Sequence, residues 1–337
     1  MDLSIVVVNW NTRHLLRRCL ASAFEHARGV SFDVWVADNA STDGSAGLVA
    51  REFPQVRLLR NSRNLGYGAA SNLALRVTSG RYVLVANADV EFVNDGIAAM
   101  ARFLDTHPRV AALGPKLLNA DGTLQPSCYR HIDGGVAFGI AWGVHTVIPY
   151  GLLARLDPDG PVRRAFTFPD HDKVLHPDWF RGAVMMLRRE ATSEVGGYDE
   201  SFYMYGEEID LFRRLKARGW EIAYLPEAEV IHHGEGSSSQ AARAMAVEFW
   251  KSLFHITRKF PGDAPSAPVL WTAMMLGTSL RILATLAGLA LGDRRSALHF
   301  RACGSIFKFG CGFDAAARAG VSAASAKAVN AGARPEA

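Results

Sequence analysis

Four short apolar runs, each followed by a polar turn and a segment with helical spacing, occupy the first 90 residues of this chain. They cover residues 3–8, 34–37, 56–59 and 82–86. Uninterrupted apolar runs of this length are typical of strands buried on both faces, and strands that alternate with helices form doubly wound sheets. The pattern therefore predicts an α/β fold with a mostly parallel sheet and helices on both faces.

The fourth run ends abruptly in Asn87-Ala88-Asp89. The end of such a strand lies at the carboxyl edge of the sheet, where open α/β folds bind ligands. Alternate residues of an extended segment point the same way, so Asn87 and Asp89 are expected to share one side. Two oxygen ligands placed in this way suit Mg²⁺ or Mn²⁺, although an Asn-x-Asp motif also occurs without a metal.

Asp38 ends the second run. Its carboxylate could accept hydrogen bonds from a ribose or a base, or it could cap the following turn, since Asp, Ser and Thr all cap well. Residues 41–44 are expected to do the capping, which would leave Asp38 available to a ligand.

A glycine pair, Gly66 and Gly68, follows the third run. These glycines could let the backbone approach a phosphate, or they could simply form a turn. They resemble half of a dinucleotide-binding fingerprint, but that fingerprint belongs after the first strand, where Asn9-Trp10-Asn11 contains no glycine. The sequence therefore argues against an NAD(P)-dependent enzyme.

Three carboxylates, Glu207, Glu208 and Asp210, crowd the start of a predicted helix at 207–218. The helix dipole favours acidic residues there, and this alone would explain them. The functional alternative is a base that removes a proton from a hydroxyl nucleophile. Glu207 and Asp210 can share a helix face, whereas Glu208 points in a different direction.

Two adjacent histidines, His232 and His233, follow a predicted short strand at 230–232. A histidine in this position can be a core residue, a cap or a metal ligand. Adjacent residues on extended chain face opposite ways, so at most one of the two is expected to reach a site.

Six motifs occur in an order that resembles the family 2 glycosyltransferases, and within them the rhamnosyltransferase-like branch. They are IVVVNWN, ADNASTDGS, NLGYGAASN, ANADV, GGYDESFYMYGEEIDLFRR and VIHHGEGSS. The resemblance covers about residues 3–240. It implies the GT-A fold, a nucleoside-diphosphate sugar donor, a Mn²⁺ or Mg²⁺ cofactor, and inverting transfer to a hydroxyl acceptor in cell-surface polysaccharide or glycolipid assembly.

The resemblance also implies roles for individual residues. The donor nucleotide is expected to contact Asn9, Asn11, Asp38, Asn64, Gly66, Tyr67, Asn72 and Asn87. The acceptor is expected to contact Trp179, Arg181, Gly182 and Asp210. The metal ligands are expected to be Asp89 and His232.

Two positions depart from the family pattern. Asn87 stands where the metal motif has its first aspartate, which makes Asp89 the main expected ligand. Glu208 stands where the catalytic pair usually ends in aspartate, so the base is expected to be Glu208 or, alternatively, Glu207.

A chain of 337 residues with a net charge of +4 has room for one large domain and an appendage. The predicted parts are a catalytic domain at 1–236 (nucleotide-binding half 1–115, acceptor half 116–236), a helical segment at 237–315 and a flexible tail at 316–337. Residues 131–178 lack clear periodicity and are predicted to form a long functional loop. Specificity is assigned to residues 128–180.

Residues 269–291 are strongly apolar and long enough to span a bilayer, for which ~20 residues suffice. Arg281 lies in the middle, at a cost of about 2.5–3.5 kcal/mol on insertion scales. We therefore expect a helix lying on the inner face of the cytoplasmic membrane, with a single span or a helical pair packed on the catalytic domain as alternatives. The basic residues expected near lipid phosphates are Lys251, Arg258, Lys259, Arg294 and Arg295.

The expected partners are thus a sugar nucleotide, a saccharide or lipid-linked saccharide acceptor and the membrane surface, and no nucleic acid. Four scattered cysteines form no metal-binding pattern and fit a reducing cytoplasm. A nucleotidyltransferase is one alternative, but the basic glycine-rich loop that it needs after the first strand is missing. A non-catalytic carbohydrate-binding or scaffold relative is another, and it predicts more damaged motifs than the two departures found.

Overall fold

The computed structural model describes residues 2–130, 168, 170–234, 242–261, 267–290 and 295–312. The strands are β1 (Leu3–Asn9), β2 (Phe32–Asp38), β3 (Arg57–Arg60), β4 (Tyr82–Asn87), β5 (Val90–Phe92), β6 (Val110–Leu118), β7 (Cys128–Tyr129), β8 (Trp179–Phe180), β9 (Val184–Arg188) and β10 (Glu221–His232). The helices are α1 (Arg13–His26), α2 (Ser45–Glu52), α3 (Tyr67–Val77), α4 (Gly96–Thr106), α5 (Arg189–Glu194), α6 (Glu207–Ala217), α7 (Ala242–Lys259), α8 (Ala267–Ala290) and α9 (Arg295–Gly310).

Within the described part of the chain, eight strands form one sheet in the order β3-β2-β1-β4-β9-β6-β10-β5. β3, β2, β1 and β4 pair in parallel, as the four apolar runs predict. β9 runs antiparallel to both of its neighbours, and β5 runs antiparallel to β10 at the edge of the sheet. The predicted α/β architecture is confirmed, with a mixed second half added to a parallel first half.

The side chains of the central strands are buried on both faces of the sheet. In β4, Tyr82 and Leu84 pack into one core with α1 and α4, while Val83 and Val85 pack into a second core with α3 and α6. All four are fully buried. This two-sided burial is the physical reason why the strands appear in the sequence as continuous apolar runs rather than as alternating ones.

The second half contains one long strand and one tight turn. The short strand predicted at 230–232 is the end of a longer strand, β10, whose pairing with β6 is irregular between Leu225 and Glu229. The segment 116–127 is the end of the long strand β6 followed by a turn, which an antiparallel bridge between Leu118 and Leu124 closes. Gly114 interrupts the apolar pattern of β6, because a Cβ there would lie 2.7 Å from the ring of Phe180.

The chain divides into two compact units, one built around the sheet and one containing α7, α8 and α9. In the helical unit, Trp250, Leu253, Met274 and Ile306 are buried. None of the helices that the structure describes is both long enough and apolar enough to cross a bilayer. Three predicted features lie wholly or mostly outside the described residues: the loop at 131–178, the domain boundary between 236 and 237, and the tail at 316–337.

Candidate active site

Three polar side chains end three adjacent parallel strands. Asn9 of β1 pairs in register with Asp38 of β2, and Val8 of β1 pairs with Asn87 of β4. The three residues therefore lie side by side at the carboxyl edge of the sheet, as predicted from the ends of the apolar runs.

Asp38 is almost fully buried, and its carboxylate is hydrogen-bonded on both oxygens. Asn9 donates to Oδ1 at 2.9 Å, and the backbone N–H of Ser41 donates to Oδ2 at 3.1 Å. Residues 41–44 do contribute caps, as expected, since the carboxylate of Asp43 accepts from backbone N–H groups, but Asp38 is not left free of the turn. Asp38 stabilises the turn that follows it, because a buried carboxylate needs hydrogen-bond donors. The amide of Asn9 and the backbone of the turn supply them.

Asn9 and Asn11 join the loops after β1 and β2. Asn9 also donates to the hydroxyl of Ser41 at 3.0 Å, while the Oδ1 of Asn11 accepts from the backbone N–H of Thr42 at 2.7 Å. Asn11 has a φ of 53°, a left-handed conformation that asparagine tolerates better than most residues. These asparagines position the loops around Asp38.

The loop before α3 is organised by Asn39, a buried residue that sequence reasoning did not single out. Asn39 donates to the carbonyl of Gly66 at 3.1 Å and accepts from Asn61 at 2.8 Å. The Oδ1 of Asn64 accepts from the backbone N–H of Gly66 at 2.9 Å. Gly66 has a φ of 86°, and a Cβ there would collide with the carbonyl of Tyr203. Glycine is thus required by close backbone contact.

Tyr67 and Asn72 connect α3 to the second half of the fold. The hydroxyl of Tyr67 donates to the carbonyl of Gly182 at 3.1 Å. The amide of Asn72 donates to the carbonyl of Tyr198 at 2.9 Å and accepts from the N–H of the same residue at 2.9 Å. Asn72 is 6 % exposed, so its side chain is used to fix the segment that precedes α6.

The segment Asn87-Ala88-Asp89 is not one extended segment. β4 ends at Asn87, residues 88 and 89 form a turn, and β5 starts at Val90. The expected alternation is therefore wrong, because the chain must leave β4 and cross to the far edge of the sheet, where Val90 pairs with His232. Asp89 follows this turn toward β10, away from the strand that contains Asn87.

Asp89 and His232 face each other at this edge. The Nε2 of His232 lies 3.5 Å from the Oδ1 of Asp89, and both side chains are about nine-tenths buried. His233 points to Glu91 instead, at 2.5 Å, so the two adjacent histidines do face different partners. Among the described residues, no cluster of three or more His, Cys, Asp or Glu side chains could hold a metal ion.

Glu207 and Glu208 begin α6 after Gly206, which has a φ of 83°. Glu207 is buried, and this burial raises its pKa well above the ordinary value, with a further contribution from the charge of Glu208. Glu208 is partly exposed. Burial raises its pKa too, while backbone donors and the nearby charge of Arg181 partly lower it. Glu208 as a whole residue is thus less buried than Glu207, although one carboxyl oxygen of each is buried.

Gly182 lies against Glu208. A Cβ on Gly182 would be 3.5 Å from the Cβ of Glu208 and 2.8 Å from the Cε of Met185. Arg181 is exposed and donates to the hydroxyl of Tyr129 at 3.1 Å, and Tyr129 stacks on Trp179 with ring centroids 4.2 Å apart. Trp179 and Arg181 are thus joined through Tyr129, a residue that no spacing pattern indicates, and Gly182 lies next to Glu208.

Asp210 does not lie next to Arg181 and Trp179. It is fully buried and pairs with Arg214 at 2.7 Å. Arg214 also donates to the carbonyls of Val195 and Gly197 at 2.6 and 2.7 Å. The carboxylate of Asp210 therefore anchors the segment before α6 and is not part of the surface around Arg181.

Two family models match the chain. The model described as glycosyl transferase family 2 matches residues 4–134, and the model described as the N-terminal domain of galactosyltransferase matches residues 163–235. Between them they cover the strands and turns that contain Asp38, Asp89, Glu208 and His232.

Among curated proteins, the chain is 32 % identical to the N-acetylglucosaminyl-diphospho-decaprenol L-rhamnosyltransferase of Mycobacterium tuberculosis, over 80 % of this chain and 88 % of that protein. It is 29 % identical to the O-antigen biosynthesis protein RfbC of Myxococcus xanthus, over 74 % of this chain and 18 % of that protein. Both similarities extend beyond the first family model.

Among solved structures, the fold is similar to that of the mannosyltransferase PcManGT from Pyrobaculum calidifontis in complex with GDP-Man and Mn²⁺. The TM-score is 0.54 at 17 % identity, covering 90 % of this chain and 84 % of that one. GalNAc-T7 with UDP, GalNAc and Mn²⁺ gives a TM-score of 0.51 at 14 % identity, covering 77 % of this chain and 51 % of that one. At such identities the likeness concerns the fold.

Proposed function

The chain belongs to the family 2 glycosyltransferases, and we propose that it moves a sugar, in the first instance L-rhamnose, from a nucleoside diphosphate to a hydroxyl group of a lipid-diphosphate-linked saccharide. The observation that carries the proposal is the 32 % identity to the mycobacterial rhamnosyltransferase over most of both chains. Asp38 at the end of β2, the pair of Asp89 and His232 where β5 joins β10, and Glu208 at the start of α6 support it, since such a transfer needs a nucleotide contact, a cation site and a base.

The donor nucleotide is assigned to the edge formed by β1, β2 and β4. Asp38 would contact the nucleoside, with Asn9 and Asn11 holding its loop. The loop at residues 64–67 would lie along the diphosphate, and its glycine allows the loop to pack against the carbonyl of Tyr203. Asn72 would contribute indirectly, by its hydrogen bond to the carbonyl of Tyr198. Asn87 lies at the end of β4, next to the end of β1.

A divalent cation fits the pair formed by Asp89 and His232 as a partial site. Carboxylate oxygen and imidazole nitrogen are both suitable donors for Mn²⁺, and 3.5 Å is a separation that two ligands of one cation can have. Diphosphate oxygens of the donor would supply the ligands that the described residues lack. A cation there would offset the negative charge that develops on the leaving diphosphate.

Glu208 is assigned as the base. It is partly exposed and next to Gly182 and Arg181, so an acceptor hydroxyl can approach it. Glu208 removes the hydroxyl proton, and the oxygen attacks the anomeric carbon from the face opposite the diphosphate, which inverts the configuration. Glu207 is too deeply buried to touch the acceptor.

The acceptor is assigned to the surface of Trp179, Tyr129 and Arg181. Stacked aromatic rings offer a flat apolar face to a sugar, and an exposed guanidinium suits a phosphate. Asp210 contributes only indirectly, through Arg214 and the segment before α6.

Association with the inner face of the cytoplasmic membrane is assigned to the helical unit. Leu276, Leu280 and Leu283 recur at helical spacing on α8 and are exposed. Arg258 and Lys259, at the end of α7, are exposed cations that could contact anionic lipids.

A transfer assay tests the proposal. The full chain is incubated with Mn²⁺, a polyprenyl-diphosphate-linked N-acetylglucosamine acceptor and a panel of sugar nucleotides that includes dTDP-L-rhamnose. A glycosylated lipid and an equivalent amount of free nucleoside diphosphate are the expected products. Release of sugar 1-phosphate instead, with the nucleoside monophosphate attached to the acceptor, would indicate nucleotidyl transfer, and no turnover of any donor would contradict the assignment.

A further inference from the structure

Gln125 contacts the far side of the His232 ring. It follows the turn after β6 and is partly buried, and its Oε1 lies 2.7 Å from the Nδ1 of His232. No motif in the sequence indicates this residue, and it comes close to β10 only because β6 and β10 are neighbours in the sheet.

The orientation of the Gln125 amide is determined by its other contacts. Its Nε2 donates to the Oδ1 of Asn119 at 3.0 Å and to the backbone carbonyl of His232 at 3.4 Å. Asn119 in turn donates from Nδ2 to the carbonyl of Leu124 at 3.4 Å and to the hydroxyl of Thr123 at 2.9 Å. Backbone carbonyls can only accept hydrogen bonds, so both amide groups are constrained to one orientation.

The state of the imidazole follows from that orientation. Because the Oε1 of Gln125 can only accept, the Nδ1 of His232 must carry a proton. In the neutral ring the lone pair then lies on Nε2, which faces the Oδ1 of Asp89 at 3.5 Å. Two atoms with lone pairs are thus held toward each other, an arrangement that favours a cation between them.

We propose that Gln125 is a positioning residue that fixes His232 as its Nδ1-protonated tautomer and so prepares Asp89 and His232 to bind one divalent cation. This rests on the metal role assigned above to that pair. Without the Gln125 oxygen, the ring can carry its proton on Nε2 and donate it to Asp89. That hydrogen bond would occupy both metal ligands at once.

The experiment uses the full chain labelled with ¹⁵N-histidine and two variants. Gln125→Met removes the acceptor at similar volume, and Gln125→Glu keeps an oxygen near Nδ1. Long-range ¹H–¹⁵N correlation spectra of the metal-free proteins at about pH 8 report which ring nitrogen of His232 is protonated. Titration with Mn²⁺ in the presence of UDP, GDP or dTDP, followed by electron paramagnetic resonance of free Mn²⁺, reports affinity.

The wild-type chain and Gln125→Glu are expected to be protonated on Nδ1, and Gln125→Met on Nε2. The Mn²⁺ affinity of Gln125→Met is expected to fall about 10–100-fold, as for other residues that orient a metal ligand, while Gln125→Glu stays within a few-fold of wild type. Thermal unfolding of each variant separates loss of fold from loss of orientation, and the spectrum of the wild-type chain tests the tautomer directly if the Met variant is unstable.

Two results would overturn the inference. One is an unchanged His232 tautomer in Gln125→Met, and the other is a changed tautomer with wild-type Mn²⁺ affinity. If the wild-type chain takes up no more Mn²⁺ than the nucleotide alone, the metal role of Asp89 and His232 fails instead, and the inference fails with it.

Discussion

The Nε2 of His232 and the Oδ1 of Asp89 lie 3.5 Å apart where β5 pairs antiparallel with β10. The turn at residues 88 and 89 brings the carboxylate to this edge, and the end of β10 brings the imidazole. The pair is therefore a product of strand pairing, and it gives the first test of the site.

Replacement of Asp89 by alanine is expected to lower transfer by more than about 100-fold, because the carboxylate is the only anionic ligand in the pair. Thermal unfolding should change little, since the side chain lies at the edge of the core. Steady-state transfer with Mn²⁺ measures the effect. His233→Gln is the matched control, as the neighbouring histidine binds Glu91, and an equal loss in that variant would contradict the assignment.

Glu208→Gln is expected to lower kcat/KM by about 10²–10⁴-fold, the usual contribution of a general base. Glu207→Gln should cost less than about tenfold, because burial already favours its protonated, neutral form. The comparison of the two variants decides which carboxylate is the base. Equal losses, or a larger loss for Glu207→Gln, would reverse the assignment.

The pH dependence of stability should reveal Glu207. A raised pKa means that the folded chain holds its proton more tightly than the unfolded chain, so this residue favours folding at low pH and the benefit is lost as pH rises through the folded pKa. Replacement of Glu207 by glutamine should therefore stabilise the protein more at pH 8 than at pH 5. Urea unfolding at both values measures the difference, and a larger effect at pH 5 would disprove it.

Gly66→Ala is expected to destabilise the fold strongly, because the position combines a φ of 86° with a collision against the carbonyl of Tyr203. Gly29→Ala is the matched control, since Gly29 has a φ of 79° and open space around it. The control reports the cost of a positive φ without a collision, about 1–2 kcal/mol. Denaturant unfolding of both variants should show a clearly larger loss at Gly66, and equal losses would exclude a role for the collision.

The exposed leucines of α8 are expected to bind lipid. Combined replacement of Leu276, Leu280 and Leu283 by serine should reduce co-sedimentation with vesicles that contain anionic lipid by at least about tenfold. Each replacement removes apolar area that the lipid would otherwise bury. Val77→Ser, an exposed apolar position on α3, is the control and should bind as wild type. Unchanged sedimentation of the triple variant would remove the membrane assignment from α8.

Much of the first half of the fold could be predicted because its information is local. The four apolar runs are strands of one parallel arrangement, and polar residues such as Asn9 and Asp38 stand at their ends as expected. The predictions were wrong where a segment pairs with a strand that is distant in the sequence. Asn87 and Asp89 do not lie on one extended segment, because the chain turns after Asn87 to reach β10.

Residue spacing could not distinguish Glu207 from Glu208, or place Asp210, because all three carboxylates lie on one short turn of α6. The distinction comes from the residues that contact each carboxylate. Asp210 pairs with Arg214, and Glu207 is buried in the core. Glu208 lies next to Gly182, which has no side chain to cover it. These neighbours belong to other elements, and no periodicity within α6 encodes them.

The sequence by itself determined the class of fold and the order of its motifs, because buried strands require continuous apolar runs and strand ends collect polar residues. Only the tertiary structure decided which residues act together. It placed Gln125 against His232 and Tyr67 against Gly182, since contacts between neighbouring strands and loops depend on sheet order. Sheet order is set by the packing of the whole domain, which no short stretch of the chain contains.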